Sequence, residues 1–509
     1  MEYSEFQKAI FNEVEKGSSN LVINAVAGSG KTTTIVECCK RLHCSPKDVK
    51  FLAFNKAIVE ELETKIGKFA DVSTMHAFAL SIMKDIFNDR YTHKYVRVDN
   101  TRWQKYIADT IYSLSEGINV DMDKKLVFKF RSNVLKVFNL ARVNLVAAKD
   151  KHIISNIMEQ YGIAPMFDEV NVVSKLLEQA YQMPSNLTID FTDMLTITAT
   201  TLSKCIPTYK YVFVDECQDL SKAQRQIMLT AARNGKFIAV GDRRQAINGF
   251  CGADASSFDN IVATPNTKEL PLSVNYRCGK EMIKLAQGIV PQIQAYDNAI
   301  QGVITNVERL DLNMFKKNDM VLCRKCAPLV KLCLALIKNG QTATIKGNDL
   351  ATDLKQMALN IKGNTIGDVR EYTETELSNL KYYFMTTYGM DEIDAMGTKP
   401  YQTLLDKCKC LSYLAEHANG NIKAVIDKVF SETKIANAIT LMSIHKAKGL
   451  ESERVVFLEP NLTMKKTKKQ KQWQFDQEQN LQYVAVTRAK KELILCSSSE
   501  IKKDKNTKE

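Results

Sequence analysis

The stretch Leu21-Val22-Ile23-Asn24-Ala25-Val26-Ala27-Gly28-Ser29-Gly30-Lys31-Thr32 decides how the rest of the chain is read. Leu21–Ala25 is an apolar run of strand length, and a helical pattern follows the glycines as far as Leu42. A strand, a glycine loop and a helix opening on Lys-Thr turn backbone N–H groups toward one point, where the helix N-terminus adds partial positive charge. Phosphate oxygens suit that point. Lys31 is expected to reach the β- and γ-phosphates and the Thr32 hydroxyl to ligate Mg²⁺. Ala27, Gly28, Ser29, Gly30 and Thr33 complete the expected nucleotide contacts. One departure from the G-x-x-x-x-G-K-[ST] pattern is Ala25, which stands where its first glycine belongs. The alternative, a βα turn that binds nothing, does not explain Lys-Thr at the helix start.

A nucleotide site of this kind needs a carboxylate at the end of a neighbouring strand. Tyr211–Val214 is fully apolar and ends in Asp215-Glu216-Cys217-Gln218-Asp219. Asp215 is placed to hold Mg²⁺ and Glu216 to polarise an attacking water, which favours hydrolysis over binding alone. Further apolar runs occur at Phe51–Phe54, Phe237–Val240, Met320–Cys323, Val455–Leu458 and Leu493–Cys496. None alternates polar with apolar, so both faces are expected to be buried, as in parallel sheets covered by helices. Two long stretches between these runs read as helical. The fold expected is α/β, with two parallel-sheet cores: 1–76 with 185–270, and 271–347 with 434–509. A helical insertion interrupts each core, at 77–184 and 348–433.

Composition narrows the field. Gly (21) and Pro (10) are scarce among 509 residues, against averages of about 7% and 5%. A collagen-like or largely disordered chain is thereby excluded. No apolar run approaches the roughly 18–20 residues that cross a bilayer, and the first ten residues lack the apolar segment of a signal peptide. A soluble, intracellular protein is expected. The 13 cysteines fall without metal-ligand spacing, so reduced, mostly buried thiols are expected rather than a structural metal. The net charge of +12 suits a polyanionic partner without proving one. The run Lys465–Lys471 is read as a solvated loop, with a phosphate-binding edge or localisation signal as the alternative.

With these residues in place, the chain resembles the superfamily 1 DNA helicases of the UvrD/Rep type, with details of the F-box DNA helicase branch. The resemblance extends over nearly the whole length, with motifs in the family's order, and implies two RecA-like cores of a P-loop NTPase using ATP and Mg²⁺. Gln7 in Glu5-Phe6-Gln7-Lys8 resembles the family's adenine-reading motif, although Ser4-x-x-Gln7 also reads as a helix capping box. Ala53-Phe54-Asn55-Lys56 and Thr74-Met75-His76-Ala77 are similar to the first two DNA-contacting motifs, which implies DNA contacts at Phe54, Asn55, Thr74 and His76. Asp190-Phe191-Thr192-Asp193-Met194-Leu195 resembles the segment that returns the chain from the first insertion. In Gly241-Asp242-Arg243-Arg244-Gln245-Ala246-Ile247-Asn248-Gly249-Phe250-Cys251, the resemblance gives Gln245 the γ-phosphate and Phe250 a stacked base. Asn248 replaces the usual Tyr and Cys251 the usual Arg; Asn248 stays a candidate DNA contact, and Phe250 as plain core stays open. Asn275-Tyr276-Arg277 implies Tyr276 against adenine and Arg277 on the γ-phosphate. Ser443-Ile444-His445-Lys446-Ala447-Lys448-Gly449-Leu450-Glu451 implies a DNA contact at His445 and a ribose contact at Glu451, and Thr487-Arg488 implies an arginine finger.

These roles suit a motor, because arginines that act on phosphoryl charge make the nucleotide state control its site. The function implied is ATP-dependent translocation on single-stranded DNA, 3′→5′, with unwinding at single-strand/duplex junctions, by a monomer. A translocase that strips proteins or recombination filaments from DNA with little unwinding uses the same motor. A nucleotide-switched DNA-binding scaffold is the reading of another class, and it needs no full catalytic set.

Overall fold

The computed structural model describes residues 3–53, 55–89, 91, 93–115, 124–161, 163, 168–247, 256–363, 365–433, 435–464 and 472–501. Phe54, Asn248, Phe250 and Lys465–Lys471, all singled out above, lie outside the described residues. The chain divides into two compact units, Met1–Ser273 and Val274–Glu509.

The first unit contains strands β1 (Asn20–Ala25), β2 (Val49–Ala53), β3 (Asp71–Thr74), β4 (Arg97–Val98), β5 (Thr188–Ile189), β6 (Tyr211–Val214), β7 (Lys236–Gly241) and β8 (Thr267–Leu272). Six of them form one sheet in the order β3-β2-β6-β7-β1-β8, with every pairing parallel, while β4 and β5 pair separately. The absence of polar alternation has a simple cause. Leu21, Ile23, Phe51, Phe213, Ile238 and Val240 enter one apolar cluster, whereas Val22, Leu52, Val212, Val214, Phe237 and Ala239 enter another. Successive side chains thus go to opposite faces and both faces are covered. Helices Glu5–Lys16 and Lys31–Lys40 pack into the first cluster, and Met75–Phe87 and Phe191–Ala199 into the second.

A third cluster has no strand in it. Helices Arg102–Ser115, Lys124–Val143, Lys151–Tyr161 and Glu169–Ala180 close around Trp103, Val134, Val137, Phe138, Ile154 and Val173. A buried ionic group ties this helical body to the sheet. Arg142 reaches Asp190 at 2.7 Å and Asp193 at 2.6 Å, Arg102 pairs with Asp193, and the Trp103 indole donates to Asp193 at 3.2 Å. Asp190 and Asp193 also form the capping box of Phe191–Ala199, so the segment returning to the sheet is held at its first turn.

The second unit holds β9 (Val274–Asn275), β10 (Gln294–Ala295), β11 (Val303–Val307), β12 (Met320–Cys323), β13 (Ala343–Lys346), β14 (Ile439–Ser443), β15 (Ser452–Leu458) and β16 (Ala489–Cys496). The last six make a parallel sheet ordered β11-β16-β15-β12-β14-β13. Between β13 and β14 the chain is helical, in five segments from Asn348 to Val429. Leu354, Val369, Leu411, Leu414, Ile426 and Val429 of these helices share one cluster with Val321, Leu332, Leu336 and Leu441 of the sheet unit. Asp406 fastens it further by accepting from the backbone N–H groups of Cys326 at 2.7 Å and Ala327 at 3.0 Å, at the start of helix Ala327–Lys338. Among the described residues, no helix is long and apolar enough to cross a membrane.

Asp193→Ala takes from Arg102 its carboxylate partner and from Arg142 one of two, and is expected to cost about 3–5 kcal/mol. The readout is the urea midpoint of the transition that reports on Trp103. Asp193→Asn, which keeps the shape and one acceptor oxygen, should lose less.

Candidate nucleotide site

Parallel strands aim their C-terminal ends at one edge of a sheet, where the connecting loops collect. In the first unit β1, β6 and β7 are consecutive members of the order β6-β7-β1, and all three end in residues singled out from the sequence. Beyond β1, Gly28 and Gly30 adopt left-handed φ values of 65° and 77°. Nothing blocks a Cβ at Gly30 closer than 4.0 Å, so backbone conformation rather than space calls for glycine there. Gly30 is the N-cap of helix Lys31–Lys40 and offers no side-chain acceptor to the first-turn N–H groups. Ser29 Oγ, fully buried in the same loop, makes no hydrogen bond among the described residues. An uncapped helix start, an unpartnered hydroxyl and the Lys31 ammonium together form a donor set that fits phosphate oxygens.

Lys31 Nζ lies 2.9 Å from both carboxylate oxygens of Glu216. Burial opposes its charge, but Glu216, Asp215 and Asp242 outweigh that effect and hold its pKa above the ordinary lysine value. Asp215 follows β6 and Asp242 follows β7. Burial lifts Asp215 to about 7, with Glu216 adding to the rise and Lys31 opposing it. Burial lifts Asp242 to about 6, again against Lys31. Glu216 itself adopts a left-handed φ of 51°, a conformation that costs a non-glycine residue on the order of 1 kcal/mol or more. Thr32 is half-buried at the helix start, and Thr33 beside it is exposed.

Two residues outside the sequence-derived set organise this pocket. Gln218 donates to Glu216 Oε2 at 2.6 Å and accepts from the Asp242 N–H at 3.1 Å, spanning the ends of β6 and β7. Asp242 accepts from the Gln245 side-chain amide at 2.9 Å, which fixes that buried glutamine. Gly241 leaves room for these contacts, since a Cβ there would stand 2.4 Å from Gln218 Oε1 and 2.7 Å from Cys217 Sγ. Both residues were visible in the sequence, in Asp-Glu-Cys-Gln-Asp and Gly-Asp-Arg-Arg-Gln. Their spacing gave no sign that they meet. Gln7 is buried and takes part in the capping box with Ser4, and its amide donates to Thr34 Oγ1 at 3.1 Å.

The remaining candidates of the first unit cluster at the ends of β2 and β3. Asn55 caps helix Lys56–Ile66 through Ile58 N–H, and Thr74 caps Met75–Phe87 through Ala77 N–H. Half-buried His76 stands edge-on to exposed Phe191, with ring centroids 5.8 Å apart, and burial lowers its pKa.

In the second unit, Asn275 Oδ1 accepts from the N–H groups of Arg277 and Cys278 and shapes the turn that carries Tyr276. Tyr276 is exposed and lies against Tyr296. Arg277 Nε meets Glu451 at 2.5 Å, and the other oxygen of Glu451 meets Lys490 at 2.6 Å. Burial pushes Glu451 up, but Lys490 and Arg277 prevail and hold it below the usual carboxylate range. Arg488 is 1% exposed, its guanidinium donating to the carbonyl oxygens of Val484 and Leu450. His445 follows β14; burial, with Arg324 and Lys399 nearby, lowers its pKa to about 3 and keeps the ring neutral.

The model of the UvrD/REP helicase N-terminal domain matches residues 6–265, just over half of the chain, and that of the UvrD-like helicase C-terminal domain matches residues 341–500. The chain belongs to the UvrD/REP helicase family. F-box DNA helicase 1 of Gallus gallus is 23% identical over 543 residues, covering 97% of this chain and 49% of that protein. F-box DNA helicase protein 1 of Schizosaccharomyces pombe is 23% identical, covering 93% of this chain and 55% of its own length. ATP-dependent DNA helicase Rep of Buchnera aphidicola subsp. Baizongia pistaciae is 26% identical over 310 residues, covering 55% of this chain and 43% of its own length. The chain thus spans about half the length of the curated relatives it matches.

Family membership makes nucleotide use testable at Asp215. A carboxyl lifted to about 7 is protonated below that pH, and the role expected of Asp215 from the sequence, holding Mg²⁺, requires the carboxylate. The Mg²⁺ concentration giving half-maximal binding of a fluorescent ATP analogue should therefore rise roughly tenfold as pH falls from 8 to 6. Asp215→Asn should bind weakly and lose that pH dependence.

Proposed function

We propose that this chain is an ATP-driven motor on single-stranded DNA, moving 3′→5′ and separating duplexes at single-strand/duplex junctions as a monomer. The observation that supports it most strongly is Lys31 held against Glu216 beside an uncapped phosphate loop. That arrangement supplies both an anion site and a carboxylate base, which a binding scaffold would not need. The relatives described above are DNA helicases, in line with a motor on DNA.

In this reading the loop Ala27–Gly30 with Lys31, Thr32 and Thr33 holds the phosphates of ATP. Asp215 and Thr32 would hold Mg²⁺, which when bound screens phosphate charge and orients its oxygens. Lys31 exchanges its Glu216 partner for a phosphate oxygen. Glu216, parted from Lys31 and still hydrogen-bonded by Gln218, accepts a proton from the attacking water. Gln245, steadied by Asp242, senses the terminal phosphate. Arg277 and Arg488 supply the positive charge that phosphoryl transfer requires, and Gln7, Tyr276 and Glu451 the contacts to base and ribose. Single-stranded DNA is assigned to Phe54, Asn55, Thr74, His76, Asn248, Phe250 and His445. The proposed organisation keeps two motor cores, 1–76 with 185–270 and 271–347 with 434–509, carrying insertions at 77–184 and 348–433.

The test is unwinding of matched duplexes bearing only a 3′ or only a 5′ single-stranded tail, with ATP and Mg²⁺. Separation of the 3′-tailed duplex alone is expected. Glu216→Gln should bind ATP and fail to separate either duplex, and Lys31→Ala should abolish turnover. Wild-type turnover by Lys31→Ala would overturn the site. If neither duplex separates while single-stranded DNA still stimulates hydrolysis, the motor stands as a translocase and unwinding falls.

A further inference from the structure

Three segments of the second unit are drawn together by backbone hydrogen bonds. The N–H of Ser452 donates to the carbonyl of Arg488 at 3.0 Å, where β15 pairs with β16 at Ser452 and Ala489. The N–H of Gly279, two residues beyond Arg277, donates to the carbonyl of Lys490 at 2.9 Å. Asn275 Oδ1 fixes the turn before it, accepting from the N–H groups of Arg277 at 2.9 Å and Cys278 at 2.7 Å. This scaffold sets Arg277, Glu451 and Lys490 side by side. Their side chains form a chain of alternating charge. Lys490 Nζ lies 2.6 Å from one oxygen of Glu451, and Arg277 Nε lies 2.5 Å from the other.

Which atom of Arg277 is held decides what the residue can do. A guanidinium carries N–H donors on its inner nitrogen, Nε, and on both outer nitrogens. Glu451 takes Nε, Nη1 reaches the Thr487 carbonyl at 3.5 Å, and Nη2 meets no partner among the described residues. An arginine gripped by its inner nitrogen keeps its outer edge for a second anion and loses the freedom of its long stem. A glutamate free to turn would be a poor anchor. Lys490 occupies its second oxygen, so the anchor is itself anchored. Side chains of Arg277, Glu451 and Lys490 are 21, 37 and 34% exposed, and ion pairs with that access to water add little stability. Their value is orientation. We propose that Lys490 and Glu451 are positioning residues for Arg277: together they aim its outer edge at the phosphoryl group whose charge it offsets. The inference rests on the ATP-hydrolysing reading above and gives Glu451 a duty separate from a ribose contact. A ribose contact serves binding. An aimed arginine serves the rate, because the charge it meets develops during phosphoryl transfer.

The experiment uses the full chain with Mg²⁺ and single-stranded DNA. It measures the single-turnover rate of ATP hydrolysis with enzyme in excess and, separately, the Kd for a fluorescent non-hydrolysable ATP analogue. Lys490→Met keeps the stem and removes the charge; it should slow hydrolysis roughly three- to tenfold, the scale of one charged hydrogen bond, with Kd unchanged. Lys490→Arg should restore the rate. Lys491→Met, which takes the neighbouring lysine from its pair with Glu453, should leave rate and Kd as they are. In an Arg277→Ala background, Lys490→Met should slow hydrolysis no further, since the group it positions is gone. A slowing of the same size there would show that Lys490 acts without Arg277 and would overturn the proposal. Changes confined to Kd in Lys490→Met and Glu451→Gln would overturn it too, leaving Glu451 a ribose contact alone. A wild type that hydrolyses no ATP would remove the proposed function, and this inference with it.

Discussion

One buried ammonium organises the first unit. Lys31 sits where three carboxylates converge from two strand ends, and without it Asp215, Glu216 and Asp242 would repel one another in a poorly solvated space. Its own charge is sustained by those same groups. One ammonium among three carboxylates leaves an excess of negative charge, so a further anion entering without a cation is disfavoured there. The β6–β7–β1 arrangement makes this possible, because consecutive parallel strands deliver their C-terminal loops to the same place.

The parts of the fold that were legible in the sequence were those with both faces buried. Leu21–Ala25, Tyr211–Val214, Phe237–Val240 and Met320–Cys323 form central strands because most of their residues enter an apolar cluster on one face or the other. Strands β3, β8 and β11 left no such trace. They lie at sheet edges, where Asp71, Lys268 and Asn306 face solvent or near-solvent positions and the apolar run is broken. β14 is internal and was also missed, since Ile439–Ser443 interleaves Thr and Ser with its apolar residues.

The site was legible where a single local pattern carries the chemistry, as in Lys31-Thr32 and Asp215-Glu216. It was not legible where function arises from contacts between loops distant in sequence. Gln218 meets Asp242 across 24 positions, and Gln7 meets Thr34 across 27. No periodicity encodes those meetings. Asn55 and Thr74 show the converse case: residues chosen for a role toward a partner also have local work as helix caps, which their sequence context alone would have predicted. Either role is compatible with the other, since a cap engages only part of a side chain.

The two helical stretches differ in a way that governs how the chain comes apart. The stretch from Arg102 to Ala180 closes around its own apolar centre, whereas the one from Asn348 to Val429 shares its centre with a sheet. Cooperative unfolding follows contiguous burial, so the first stretch is a separable foldon and the second melts with the strands it covers. Amide protons in Lys124–Val143 are then released by an opening that leaves β1 and β7 protected, while those in Lys399–Ala415 wait for the loss of β12 and β14.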